Sequence, residues 1–225
     1  MVEVARGTIV VFADIACPWS HVAVHRLHEA RAAAGLVGEV LFDMRAFPLE
    51  LFNERPTPKR TLDAETPVAG SLAPDAGWQM WARRDYEYPV TTLPALEAVQ
   101  AAKEQGLRAS EQLDRCLRRA FFGASKSISM RHVILEEAKA CDAVDATALR
   151  DALDAGRARR RVLEQFEKAD EAVKGSPHLF LPDGSDHHNP GVRLRWHGAH
   201  GRGFPVVESD DPGVYTDIVA RAAHA

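Results

Sequence analysis

The chain has 225 residues, 46% hydrophobic and 27% charged, with a formal net charge of −4 at pH 7. That length suits one well-filled domain, or one domain carrying a sizeable insertion, and the composition is ordinary for a soluble globular protein. The scattered basic residues argue against a nucleic-acid footprint, and no run approaches the roughly 18 apolar residues of a membrane span.

In chain order, the opening segment MVEVARGTIVVFADIAC has neither the positive start nor the long apolar stretch of a secretory signal, so a cytoplasmic location is expected. TIVVFADIA (residues 8–16) is β-branched and nearly continuously apolar, which predicts a strand buried on both faces. It stops at Cys17-Pro18. Proline is favoured at the first helical position, and WSHVAVHRLHEARAAAG predicts a helix. On it Val22, Leu27, Ala30 and Ala34 share a buried side, and Gly35 is the stop. EVLFDMRAFPLE predicts a second strand that ends before Pro48.

Residues 48–77 carry five prolines and little periodicity, which predicts an extended, Pro-rich surface excursion. From 78 to 173 the pattern is helical throughout, with about five helices in series forming an all-helical insertion. Ser110, Ser129 and Asp145 are the expected N-caps. GSPHLFLPDG predicts a short strand starting at Pro177 and closed by a Pro182-Asp183-Gly184 turn. In GVRLRWHG, Val192, Leu194 and Trp196 alternate with Arg193, Arg195 and His197, as in a half-exposed strand. DDPGVYTDIVARAAHA closes the chain as a helix. The order is β-α-β, helical insertion, β-β-α. Residues 1–47 and 174–225 form one domain in this reading, joined through the 48–77 loop to the 78–173 insertion.

These residues resemble a known family. Cys17-Pro18-Trp19-Ser20 after strand one, the helical block and Gly175-Ser176-Pro177 before a β-hairpin are similar to the DsbA-like branch of the thioredoxin superfamily. Within it the chain most resembles the FrnE-type cytoplasmic oxidoreductases, with EAVQAAKEQG, LRRAFFGASKSIS and AVKGSP as further matching pieces. The segment 185–210 is less typical of that pattern. The resemblance implies an α/β thioredoxin-like fold with a helical insertion, Cys17 as nucleophile and Pro177 as a cis-proline. The backbone of Ser176 is then expected beside the sulfur, positioned to pair with an extended substrate.

The physical reason for a reactive Cys17 is its place at a helix N-terminus, where unpaired N–H groups and the helix dipole favour thiolate. Ser20 departs from the dithiol pattern. A hydroxyl cannot attack a mixed disulfide, although it can donate a hydrogen bond to the Cys17 thiolate. The site is therefore monothiol, and an external thiol, glutathione or mycothiol, is the implied co-substrate. No permanently bound cofactor and no metal is expected. Pro18, Trp19, Ser176, His21 and His178 are the expected substrate-binding neighbours. Trp19 is read as exposed at the corner and His21 as a local positive charge or proton relay. His21, His25 and His28 share a helix face, read as solvated or partly packed rather than metal-binding. His187 and His188 are read as surface turn residues, and Trp78 and Trp81 as packing residues. Cys116 and Cys141, expected as thiols, are read as helix packing positions. The run Arg157–Arg161 is read as a solvated face.

Three functions follow in order. The first is a cytoplasmic monothiol disulfide oxidoreductase, acting on disulfide-containing proteins or small-thiol mixed disulfides, as a monomer or homodimer. The second is a glutathione- or mycothiol-dependent transferase or isomerase, similar to kappa-class glutathione transferases and 2-hydroxychromene-2-carboxylate isomerases. The third is a redox-inactive peptide-binding or chaperone-like module. Neither nucleic acid nor membrane is an expected partner.

Overall fold

Six consecutive buried residues, Thr8–Ala13, form β1 at the centre of the sheet. The computed structural model describes residues 2–169, 172–199 and 202–225. β1 pairs in parallel with β2 (Leu41–Ala46) along its whole length, from Thr8 opposite Leu41 to Ala13 opposite Ala46. Helix α1 (Pro18–Ala33) makes the crossover. On the other side of β1 lies the antiparallel β3 (His178–Phe180), followed by β4 (Asp186–His188), giving the order β2-β1-β3-β4.

Both faces of this sheet are covered, which is why the first strand is apolar at nearly every position. Ile9, Val11 and Ala13 point into the large core with Leu27, Phe42 and Leu179. Val10 and Phe12 point the other way, into a smaller cluster with Phe47, Val173 and Phe180.

The inserted helices are α4 (Leu93–Ala102), α5 (Leu107–Ala124), α6 (Arg131–Lys139), α7 (Ala146–Asp154) and α8 (Arg159–Ala169). They continue the sheet's core: Leu96, Val99, Leu113, Leu117, Ile134 and Leu149 belong to the same buried cluster as Ile9 and Val11. The C-terminal helix Val214–His224 closes that core through Tyr215, Ile218 and Val219. Among the described residues no helix is long and apolar enough to cross a membrane.

Several expectations are corrected. The 48–77 excursion is mostly helical, with α2 (Leu49–Phe52) and α3 (Lys59–Leu72). Helix α3 buries only Thr61, Leu62, Thr66 and Ala69 and carries Pro67 within it, so its apolar stripe is too small and interrupted to stand out. Residues 78–92, expected as helix, contain only a 3₁₀ turn at Asp85–Glu87. Of the three expected caps, only Asp145 acts, accepting from the N–H groups of Thr147 and Ala148. Ser110 lies inside α5, its hydroxyl donating to the Val99 carbonyl at 2.9 Å, and the α6 cap position is held by Met130. Asp186–His188, read as a turn, is the strand that pairs with β3. β5 (Val192–His197) alternates in burial as expected, but it pairs with β6 (Phe204–Asp210) in a separate two-stranded sheet. Pairing depends on where long-range partners fall, and local alternation does not encode that.

One buried charge ties the insertion to the end of β1. Arg118 on α5 is fully buried and bidentate to Asp114, with Nε–Oδ2 2.7 Å and Nη2–Oδ1 3.1 Å. Its Nη1 donates to the carbonyls of Asp14 at 2.9 Å and Ile15 at 3.3 Å, just ahead of Cys17. Removing one partner of such a pair strands a buried charge and costs about 3–5 kcal/mol. Arg118→Met is therefore expected to lower unfolding free energy by about that amount in a urea titration, whereas Arg160→Met, on an exposed pair with Glu164, changes it by under ~1 kcal/mol.

Candidate active site

The corner after β1 is built by the residues that end the strand. Asp14, itself buried, accepts from the Ala16 N–H at 2.8 Å through Oδ1. Its Oδ2 accepts from the Leu49 N–H at 2.8 Å and from the Thr92 hydroxyl at 3.0 Å. One carboxylate thus fixes the turn, the exit of β2 and the start of α4. Burial pushes the Asp14 carboxyl up, against these hydrogen bonds and Arg118.

Cys17 is the N-cap residue of α1, and Pro18 occupies the first helical turn. The Cys17 thiol faces the Ser176 carbonyl at 3.2 Å. The Ser20 hydroxyl lies 2.6 Å from the Ser176 hydroxyl, which also accepts from the Asp14 N–H at 2.9 Å. The peptide bond between Ser176 and Pro177 is cis. The structure therefore brings Cys17, Ser20 and Ser176 into one hydrogen-bonded cluster, with Pro18 and Pro177 adjoining it in sequence. Strand β4 holds the Ser176 segment in place: the Asn189 N–H that follows it donates to the Pro177 carbonyl at 3.0 Å. A Cβ on Gly175 would lie 2.8 Å from His188 Nε2, so glycine allows that close approach. His188 is exposed, as read, and one side of its ring lies against the loop.

The electrostatics differ from the expectation of a thiolate favoured by the helix N-terminus. Cys17 is 3% exposed. Burial pushes its thiol up, the Ser20 hydrogen bond opposes this, and the Glu65 charge adds to it. Glu65 comes from α3, the element unrecognised in the sequence. Burial raises its carboxyl to about 7, and it accepts from Trp19 Nε1–H at 3.2 Å. Trp19 is consequently packed beneath α3, with Ala69 and Ala73 in the cluster that also covers Cys17, rather than exposed.

Two histidines are placed away from the expected roles. His21 is buried, stacked on Phe122 with centroids 4.8 Å apart and edge-on to Trp78 at 4.6 Å. Burial, with Arg118 nearby, lowers it to about 3, so it is neutral and carries no positive charge to the sulfur. His178 Nδ1 accepts from the Lys174 N–H at 3.1 Å and its Nε2–H donates to Asp186 at 2.7 Å. Its ring packs with Phe180 on the face of the sheet opposite α1, where it braces β3 against β4. His25 is buried and His28 packs edge-on to Phe42, so of the two readings, solvated or partly packed, this histidine face is the packed one. Trp78 and Trp81 pack against the core as read, and Arg157, Arg159 and Arg160 are exposed.

Asp14 and Glu65 are the site residues the sequence reading missed. Asp14 had a local signal, an acidic residue at a strand end before a Pro-capped helix. Glu65 had none, because its relevance depends on α3 folding back over Trp19.

The family profile described as DSBA-like thioredoxin domain matches residues 8–201, and the chain belongs to that family. Its fold is the thioredoxin-like α/β fold with helical content and a mixed sheet. No curated protein sequence matches. Among solved structures it is similar to a probable DsbA oxidoreductase from Streptomyces coelicolor, at 21% identity and TM-score 0.66, covering 96% of this chain and 89% of that one. It is also similar to the cytosolic disulfide reductase DsbM from Pseudomonas aeruginosa with GSH, at 16% identity and TM-score 0.63, covering 96% of each chain. A 2-hydroxychromene-2-carboxylate isomerase follows at 15% identity and TM-score 0.53, covering 80% of this chain and 87% of that one.

Because burial and Glu65 both disfavour the thiolate, the rate of Cys17 alkylation should rise with pH about a midpoint above that of a free cysteine, and Glu65→Gln should lower that midpoint. Glu65 is also held in its neutral form, so its share of stability is present below the ordinary glutamate range and is lost as pH rises through about 7. Urea unfolding at about pH 5 and about pH 8 should show a loss of ~1–2 kcal/mol that Glu65→Gln abolishes, after allowing for solvent screening.

Proposed function

We propose that this protein is a monothiol disulfide oxidoreductase of the DsbA-like family, most similar to its FrnE-type members and acting in the cytoplasm. The observation that carries the reading is the Cys17 sulfur at the N-cap of α1, 3.2 Å from the Ser176 carbonyl, with a hydroxyl at Ser20. Family membership supplies the reaction class, since DsbA-like domains generally exchange thiols and disulfides.

In the proposed cycle, Cys17 loses its proton and its thiolate attacks a disulfide RS–SR′. A Cys17–S–SR bond forms while R′S⁻ leaves and takes up a proton. Ser20 holds its hydroxyl against Ser176 and can turn toward the sulfur, but it cannot displace RS⁻. An external thiol R″SH attacks the mixed disulfide instead, giving R″S–SR and restoring the Cys17 thiol. A small thiol suits a sulfur covered by α3, and the similar Pseudomonas reductase is described with GSH. When charged, Glu65 raises the energy of the Cys17 thiolate. When protonated, it removes that penalty.

A second reading, a thiol-dependent transferase or isomerase, is supported by the paired hydroxyls of Ser20 and Ser176 at the same corner. There a bound small thiol, rather than Cys17, would be the reacting sulfur. The two separate cleanly. With a glutathionylated protein or peptide as substrate and glutathione as co-substrate, Cys17→Ala is expected to reduce deglutathionylation to background. Ser20→Cys is expected to release the glutathione held on Cys17 without added thiol, closing an internal disulfide. Retention of activity by Cys17→Ala would sink the monothiol reading, and tight glutathione binding in that variant would favour the transferase. Peptide binding with no turnover in the unmodified protein would leave only a binding module.

A further inference from the structure

The remaining two cysteines are not independent packing residues. Cys116, in the middle of α5, and Cys141, just past the end of α6, are 25 residues apart in sequence, yet their sulfurs lie 2.8 Å apart. This is well inside ordinary nonbonded contact between sulfurs. Both are free thiols. Cys141 is buried, whereas Cys116 is partly exposed to solvent.

From this juxtaposition we propose that Cys116 and Cys141 form a second redox site, a dithiol that a low-molecular-weight disulfide oxidises to an intramolecular disulfide. It is separate from the Cys17 corner and does not depend on Ser20 or Ser176.

The surroundings assign the two sulfurs different roles. Cys116 is the accessible one, and its thiolate is favoured by the hydrogen bond from Cys141 and by the Arg119 and Arg115 charges. Cys141 sits against two carbonyls, 3.2 Å from that of Glu137 on α6 and 4.0 Å from that of Gln112 on α5. Its proton is held by the Cys116 sulfur, and burial further disfavours its thiolate. Cys116 is therefore the attacking sulfur. Its thiolate attacks RS–SR, forming Cys116–S–SR and releasing RS⁻. Cys141 then loses its proton and attacks the Cys116 sulfur, forming the protein disulfide and releasing the second RS⁻. Each leaving thiolate takes up one of the two protons that the cysteines gave up. Two cysteine thiols are oxidised and one RS–SR is reduced to two RSH. Cys116 and Cys141 thus supply, within the helical insertion, the two-sulfur arrangement that the Cys17 motif lacks.

The test uses the full chain carrying Cys17→Ala, so that the corner contributes no sulfur, treated with oxidised glutathione and read by intact mass and peptide mapping. The expected result is a protein that has lost two hydrogens, retains no glutathione and yields a Cys116–Cys141 cross-linked peptide. The Cys17→Ala/Cys141→Ser variant should instead stop at a glutathione adduct on Cys116. Recovery of both thiols in alkylatable form from Cys17→Ala would overturn the proposal. So would a glutathione adduct that persists on either cysteine while both are present. The first variant leaves α5 and α6 untouched, so its outcome does not depend on how the double variant folds.

Discussion

The Arg118 guanidinium lies wholly out of water, between the Asp114 carboxylate and the carbonyls of Asp14 and Ile15. A charge in that position must be answered by a fixed set of acceptors, because desolvating it without them costs more than the fold can tolerate. The insertion and the sheet therefore meet in one register only. Asp14 extends the constraint by tying the corner to Leu49 and Thr92, so that β2, α4 and the turn before Cys17 move together. Glu50 completes it, accepting from the N–H groups of Thr92 and Leu93 at 3.0 and 3.2 Å at the start of α4.

Within that frame the Cys17 site balances opposing effects. Its N-cap position brings the sulfur to the positive end of a helix, which favours thiolate. The cover of α3 and the Glu65 carboxyl disfavour it, and the balance falls toward the thiol. Ser20 and Ser176 satisfy each other's hydroxyls beside the sulfur, so neither hydroxyl is left stranded in a closed, mostly apolar corner. Trp19 does the same for Glu65, donating its indole N–H to the carboxyl that burial has raised.

Sheet geometry explains why residues adjacent in sequence serve different purposes. Ser176 faces the sulfur, whereas His178, two residues later and on a regular strand, lies with Phe12 and Phe180 on the opposite face. Proximity to Pro177 in sequence suggested a place in the site. On β3 the His178 side chain shares the face of Phe180, two residues on, and that face packs against the smaller cluster, away from Cys17. His21 shows the helical counterpart: it lies four residues after Cys17, but its ring is clasped by Phe122 and Trp78 and stays neutral.

Local sequence was enough to determine β1, α1, β2 and the five inserted helices, because each carries its own periodicity and most carry a stop signal. The Cys17-Pro18 boundary and the segment around Pro177 were likewise legible from residue types, and with them the family. Tertiary structure alone decided which strands pair, since Asp186–His188 is too short and polar to identify itself as a strand until it meets β3. It also decided that α3 closes over Trp19, that Glu65 becomes a titratable neighbour of Cys17, and that Cys116 and Cys141 meet. Burial, pKa and long-range pairing are properties of what a residue is packed against. The chain specifies those neighbours only once all of it has folded.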